Sequence, residues 1–383
     1  MSTVSYTGAA PARRSFPFNP VVVVLSLLIL AGLVAGVWRL FVGMGSTTAL
    51  TDGYPWGIWI GFDFSLIAFA AVGFTMTTLI YILRQEQYRE ALRPALLAAL
   101  CGYVAVLALL VLDLGRWDRF YNFILYWNVH SPLFEVSWCV LLYTTLLLVE
   151  TSPQVAESLG KPALVKFVHR IAVPLVIVGL TLSTLHQSTL GTLYLNMPHL
   201  LDELWYSPIL SLLFFVSSIM AGLSLAMIGY MVAARVTGTE VKPAIPRGLA
   251  TGVAWVTLLY VVLKLGDIWL AGETAALFAF DRMSWLMWLE LGLFAIVPMV
   301  LFFIPSLRNR RAVQWVGASL ILAGVVLNRF NATLFAQTPP EGSAYVPHPV
   351  EWLTTIGVVA AAVLVWYLGV RYLAIWREAH SVR

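Results

Sequence analysis

Apolar residues gather in ten long runs, at roughly 21–43, 57–83, 92–114, 132–150, 168–187, 207–233, 246–268, 284–304, 312–331 and 350–373. A helix that crosses a bilayer needs about 20 such residues. The runs are long, unbroken and free of period-2 alternation, which excludes the strands of a membrane barrel. The predicted fold is therefore all-α, a polytopic integral membrane protein with ten transmembrane helices. Residues 1–20 form a tail, 57–187 a first four-helix bundle, 207–331 a second, and 350–373 a last helix. A weak internal echo, "VLDLGR" at 111–116 and "VLKLGD" at 262–267, closes the third and seventh runs. It is either a trace of duplication, with the first and tenth helices peripheral, or chance in an apolar sequence.

Composition extends the membrane reading to the whole chain. Hydrophobic residues make up 60% of it and charged residues 11%, against roughly 45–50% and about 25% in soluble domains. Ten spans put both termini on one side, here called the basic face, which carries seventeen of the 23 Lys and Arg. Only Arg39, Arg116, Arg119, Lys264, Arg282 and Arg329 fall on the other side. By the positive-inside rule both termini are cytoplasmic. The net charge of +4 is then a topology signal and implies no nucleic-acid partner. Arg13 and Arg14 before the first run suggest a signal peptide, but the run exceeds the usual 7–15-residue core and reads as a retained helix. Cys101 and Cys139 lie inside spans without ligand spacing. They read as packing residues, and two thiols cannot hold an iron–sulfur cluster in this chain.

All five long loops, 44–56, 115–131, 188–206, 269–283 and 332–349, fall on the opposite, aromatic face. Their Trp, Tyr and Pro content fits either an interfacial anchor belt or a docking surface for a partner.

Ionisable residues within spans are functional candidates by default. A rise of 1.5 Å per residue from the basic end of each run places Asp63, Asp113, Glu135, His186, Lys264, Glu290 and Arg329 about 22–32 Å up a core about 30 Å thick. The inner half then offers mainly hydroxyls, among them Thr77, Thr78, Tyr81, Tyr103, Ser217, Ser218 and Tyr260. A transporter places its site near the midplane. Acids and a histidine near one face suit a lipid-soluble redox carrier that enters from the bilayer and exchanges protons at its carbonyl oxygens.

Each candidate also has a structural reading. Glu135, three residues after Pro132, is placed as a first-turn acid on the helix dipole. Asp113 with Arg116, and Lys264 with Asp267, are spaced as i, i+3 ion pairs. Asp63 in "WGIWIGFDFS" follows two glycines that permit close approach of a helix or a ligand. Glu290 is more deeply placed, and His186 in "LSTLHQSTLG" is either functional or a hydrogen-bonded packing histidine. Haem is disfavoured, because of His130, His169, His186, His199, His348 and His380 only His186 lies well within a span.

Three blocks, "YPWGIWIGFDFSL", "HSPLFEVSWCVLLYTTLLLVE" and "LSTLHQSTLGTLYLNMPHLLDELWYSPILSLLFF", closely resemble the membrane subunit of hydrogenase-2-type nickel–iron hydrogenases. That subunit belongs to the wider polysulfide-reductase and nitrite-reductase membrane-anchor (NrfD-like) family. The resemblance implies a quinone site (menaquinone or ubiquinone), no haem, and a bacterial inner-membrane location. It also implies a ferredoxin-like iron–sulfur partner that connects to catalytic subunits on the periplasmic side. Quinone or proton roles map onto Glu135 and His186, and Asp63, Gln187, Asp113 and Arg116 join them as candidate quinone-binding residues. Tyr103 and Arg93 belong to a proton route toward the cytoplasm, with Glu290, Lys264 and Asp267 as further members. No acid stands inside the sixth span. The same module in another periplasmic complex, handling sulfur compounds, nitrite or cytochromes, remains open, as does a small-solute transporter.

Overall fold

The computed structural model describes residues 19–197, 200–340, 342–373 and 375–376. Arg13, Arg14, His199, Arg377, His380 and Arg383 lie outside them. Among the described residues, ten helices are long and apolar enough to cross a membrane: α1 (Pro20–Val42), α2 (Ile58–Ile82), α3 (Glu86–Asp113), α4 (Pro132–Ser158), α5 (Ala172–Leu195), α6 (Leu210–Thr237), α7 (Ala244–Ala271), α8 (Arg282–Phe303), α9 (Arg311–Phe335) and α10 (Pro349–Tyr372). Among the described residues only two isolated β-bridges occur, so the fold is all-α and polytopic.

Two helices, α4 and α5, outrun their apolar runs by eight residues each, and hydrogen bonds explain both. In α5 the polar stretch after Gln187 stays helical because Ser188, Thr189 and Thr192 each bond a carbonyl one turn back, satisfying their hydroxyls without leaving the helix. In α4 the turn beyond Glu150 is held against α3: Glu157 takes both guanidinium donors of Arg93 at 2.7 Å, and Gln154 donates to the Arg93 carbonyl at 3.2 Å. The loop expected over 188–206 therefore shrinks to 196–209, and Glu150 sits within a helix rather than at its edge.

Caps fix several ends. Asn19 caps α1 through Val22 N at 2.9 Å, and Asp281 caps α8 through Ser284 N at 2.8 Å. Gly238 and Gly272 end α6 and α7 in the left-handed conformation that glycine adopts without strain. α2 packs on α3, α4 on α5, and α6 on α7, α9 and α5, while α9 bridges to α2. One apolar cluster continues through α2 to α9. α1 lies along α10, where Gly32 and Gly357 meet so closely that a Cβ on either would come within 2.6 Å of the other's Cα. Small residues permit such backbone contact in a bilayer, where close packing rather than burial from water holds helices together.

Candidate functional site

With α5 running to Leu195, His186 lies about 14 Å from that end, near the middle of the helix and deeper than the apolar run implied. It is fully buried, and its Nδ1 is 3.0 Å from the Tyr103 hydroxyl of α3. The Tyr103 ring meets Tyr143 of α4 edge-on at 4.9 Å. Ser183, one turn before His186, faces both tyrosines. Gln187 donates to the Ile67 carbonyl of α2 at 2.9 Å. His186 Nε2, Gln187 Oε1 and the Asp63 Oδ1 of α2 have no protein partner although all three side chains are at least 98% buried. Buried polar atoms rarely go unpaired, and these three offer both donor and acceptor capacity.

Glu135 stands apart from that centre. It is exposed in the first turn of α4 and accepts from Thr189 at 2.8 Å, three residues along α5 from His186. The two glycines before Asp63 serve protein contacts: a Cβ on Gly61 would strike the Phe330 ring, and one on Gly57 the Tyr345 hydroxyl.

Toward the basic face, a cavity between α2, α3, α4 and α5 is lined by Thr77, Tyr81, Arg93, Glu150, Gln154 and His169. Glu150 is an acid in the half expected to hold mainly hydroxyls, and it lies in electrostatic range of Tyr143. Arg93 is committed to Glu157.

The second bundle holds a separate network. Glu290, on a π-helical turn of α8, is 3% exposed. Its Oε1 accepts from Asn328 at 2.8 Å and Tyr260 at 3.2 Å, and its Oε2 from Asn331 at 2.8 Å and Trp205 at 3.0 Å. Tyr260 thus belongs to this outer cluster and not to the inner half. Arg329 donates to Asn328, to Ser217 at 2.9 Å and to the Phe214 carbonyl at 3.1 Å, with its guanidinium over the Phe214 ring. Lys264 donates to the Leu204 carbonyl at 2.6 Å, with Asp267 in electrostatic range but not in an ion pair with it among the described residues. The other expected pair is also absent: Arg116 binds Asp118 at 2.8 Å, leaving Asp113.

A third group joins the outer ends of α1, α2, α3 and α10. Arg39 is fully buried, its Nη2 on the Leu114 carbonyl at 2.7 Å and its Nε and Nη1 without a protein partner. Asp113 lies in its electrostatic range, and Asp63 and Glu351 in that of Asp113. Glu351 accepts from Tyr345 at 2.6 Å, His348 N at 2.7 Å and Ala49 N at 3.1 Å. Burial, with the Glu351 carboxylate beside it, keeps the Tyr345 phenol well above its ordinary pKa, so it remains a donor.

Arg39, Glu150, Trp205, Asn328, Asn331 and Glu351 are not singled out by the sequence. Arg39 and Glu351 sit at helix ends where a charge reads as a topology or cap residue. Asn328 and Asn331 flank Arg329 with one-turn spacing, the only signal that marks them.

Residues 46–339 match the family model described as "Polysulphide reductase, NrfD". A protein of Nitratidesulfovibrio vulgaris is 34% identical over 90% of this chain and 91% of its own length. The probable Ni/Fe-hydrogenase 2 b-type cytochrome subunit of Escherichia coli is 31% identical over 94% of this chain and 91% of its own. The menaquinone reductase integral membrane subunit of N. vulgaris is 29% identical over 91% and 89%.

Proposed function

This chain belongs to the polysulphide reductase NrfD family, and from that premise we propose that its buried His186 centre handles a quinone for a redox partner docked on the aromatic face. As an NrfD-type protein it is a membrane subunit of the quinone-linked oxidoreductase kind. The finer reading is a bacterial inner-membrane subunit with both termini cytoplasmic. It passes electrons between a ferredoxin-like iron–sulfur subunit in the periplasm and the quinone pool, and the catalytic subunits beyond are those of a nickel–iron hydrogenase. A second reading, the same module in another quinone-linked complex, is favoured by the menaquinone reductase relative.

The observation that carries the proposal is the set of unpartnered atoms on His186, Gln187 and Asp63. A quinone carbonyl needs a donor and a quinol hydroxyl an acceptor. Because the Tyr103 hydroxyl can either donate to Nδ1 or accept from it, His186 can present Nε2 in either form. Tyr103 thereby holds the ring and sets its tautomer. Glu135, exposed on the edge of α4, and the buried Thr189 that donates to it would relay protons beside the entry from the lipid. The Glu150 cavity with Tyr143, Ser183 and Tyr103 supports a second proton route, toward the basic face.

Two measurements test this reading. The purified complex should carry extractable quinone and show no b-type band attributable to this chain in reduced-minus-oxidised spectra. Haem needs a second axial ligand, and the described His130, His169 and His348 are exposed or only half-buried, none of them within a span. A stoichiometric b-type band from this chain overturns the assignment. Crosslinks from the iron–sulfur partner should reach 114–131 and 196–209. Crosslinks confined to 238–243 or 304–310 would reverse the sides.

A further inference from the structure

The family match ends at residues 46 and 339, so α1 and α10 lie outside it. These two helices nevertheless supply a fully buried guanidinium, Arg39, and a fully buried carboxylate, Glu351. Arg39 leaves two nitrogens without a protein partner. Asp63 and Asp113 each leave one oxygen in the same condition. These groups lie in electrostatic range along the series Arg39–Asp113–Asp63, and among the described residues no carboxylate is bonded to Arg39. Opposite charges that face one another without touching, at buried atoms with unmet hydrogen bonds, are joined by water where the site is polar.

We infer that Arg39, Asp113 and Asp63 line a hydrated proton route from the His186 centre to the aromatic face, with Glu351 and Tyr345 at its outer end. The inference rests on the quinone reading. Oxidation of a quinol delivers two electrons to the iron–sulfur partner and two protons that must leave, and reduction of a quinone requires the reverse. Asp63 is a buried acid in electrostatic range of both Tyr103 and Asp113, and Asp113 is the last residue of α3, at its outer end. Glu351 has three donors on its carboxylate and is held at the mouth by the 345–351 turn. Arg39 acts as a positioning residue: its charge keeps Asp113 from repelling a second anion along the path. The titratable groups facing the route are Arg39 from α1, Asp63 from α2, Asp113 from α3, and Tyr345, His348 and Glu351 from α10 and the loop before it. The non-titrating wall is Trp59, whose indole donates to Thr354 at 2.9 Å.

The test uses the assembled complex and the variants Arg39→Gln, Arg39→Lys and Glu351→Gln. The expected result for Arg39→Gln is a fall in quinone-coupled turnover per assembled complex of about tenfold, below the 10²–10⁴ of an acid–base group itself. A larger solvent deuterium effect and a shifted pH profile should accompany it. Arg39→Lys should restore most of the rate. Glu351→Gln, which alters only the mouth, should slow turnover in the same direction and covers the case in which Arg39→Gln fails to assemble. Infrared difference spectra supply a readout apart from turnover: the deuterium-sensitive carboxyl band that disappears in Asp113→Asn should move in Arg39→Gln. An unmoved band, or unchanged rate and isotope effect in both Arg39→Gln and Glu351→Gln, overturns the inference. Failure of the quinone reading has a different signature, absence of wild-type quinone turnover with the infrared shift still present.

Discussion

His186→Ala is expected to lower quinone-coupled turnover per assembled complex by on the order of 10²–10⁴-fold, while electron transfer from the partner's metal site to an artificial dye stays at the wild-type rate. The size follows from what the imidazole does. It can present Nε2 as donor or as acceptor, because Tyr103 can take up either role at the other ring nitrogen. Alanine also leaves the Tyr103 hydroxyl buried without that partner, costing about 1–3 kcal/mol, a penalty seen in assembly yield and not in rate per complex. Glu135→Gln separates the two effects further. The residue is exposed, and its amide oxygen can still accept from Thr189, so assembly should be normal while turnover slows. A purely packing role for His186 predicts the reverse pattern, with fewer complexes each working at full rate. Wild-type quinone turnover per complex in His186→Ala ends the proposed role.

The legible parts of this molecule are those set by long-range composition. Ten spans and their order follow from apolar run length, because a bilayer imposes one length on every helix. Helix ends were less legible where polar residues satisfy themselves locally. Ser188, Thr189 and Thr192 fold their hydroxyls back on the helix, so a stretch that reads as loop is buried helix. That extension moved His186 toward the middle of α5 and brought it level with Tyr103. Pairing along one helix was misleading. Asp113 and Lys264 have oppositely charged residues at i+3, yet Arg116 turns to Asp118 and Lys264 to a carbonyl of another segment. Spacing on a helix shows what can meet within it, and says nothing of a better partner arriving from a neighbour. Arg39 and Glu351 were hidden for the same reason: each reads as an end-of-helix charge, and only the packing of α1 against α10 and α3 buries them.

The same reasoning gives Glu290 a role that its sequence position left open. Four donors from three segments, the 200–209 loop, α7 and α9, converge on its two oxygens, an arrangement that suits a carboxylate acting only as acceptor. One of those donors is the Trp205 indole. Leu204 and Trp205, each 1% exposed, are inserted into the outer end of the second bundle, and the strand of loop beside them is stitched to 336–338. Residues 200–209 of this loop are therefore a plug held from below by Glu290 and Lys264. Glu290→Ala should destabilise the protein by about 3–5 kcal/mol, the range for stripping one member from a buried charged set, because each stranded donor keeps part of an unmet hydrogen bond. Glu290→Gln should cost less. Its amide must face one oxygen's pair of donors, and although Asn331 has an unpartnered oxygen to turn toward it, the Trp205 indole and the Arg329-held Asn328 have no such freedom. Thermal unfolding in detergent should therefore rank wild type above Gln and Gln above Ala, with Trp205 becoming accessible to solvent quenchers in the same order. Wild-type stability and a shielded Trp205 in Glu290→Ala would show that the plug is held by its apolar contacts alone.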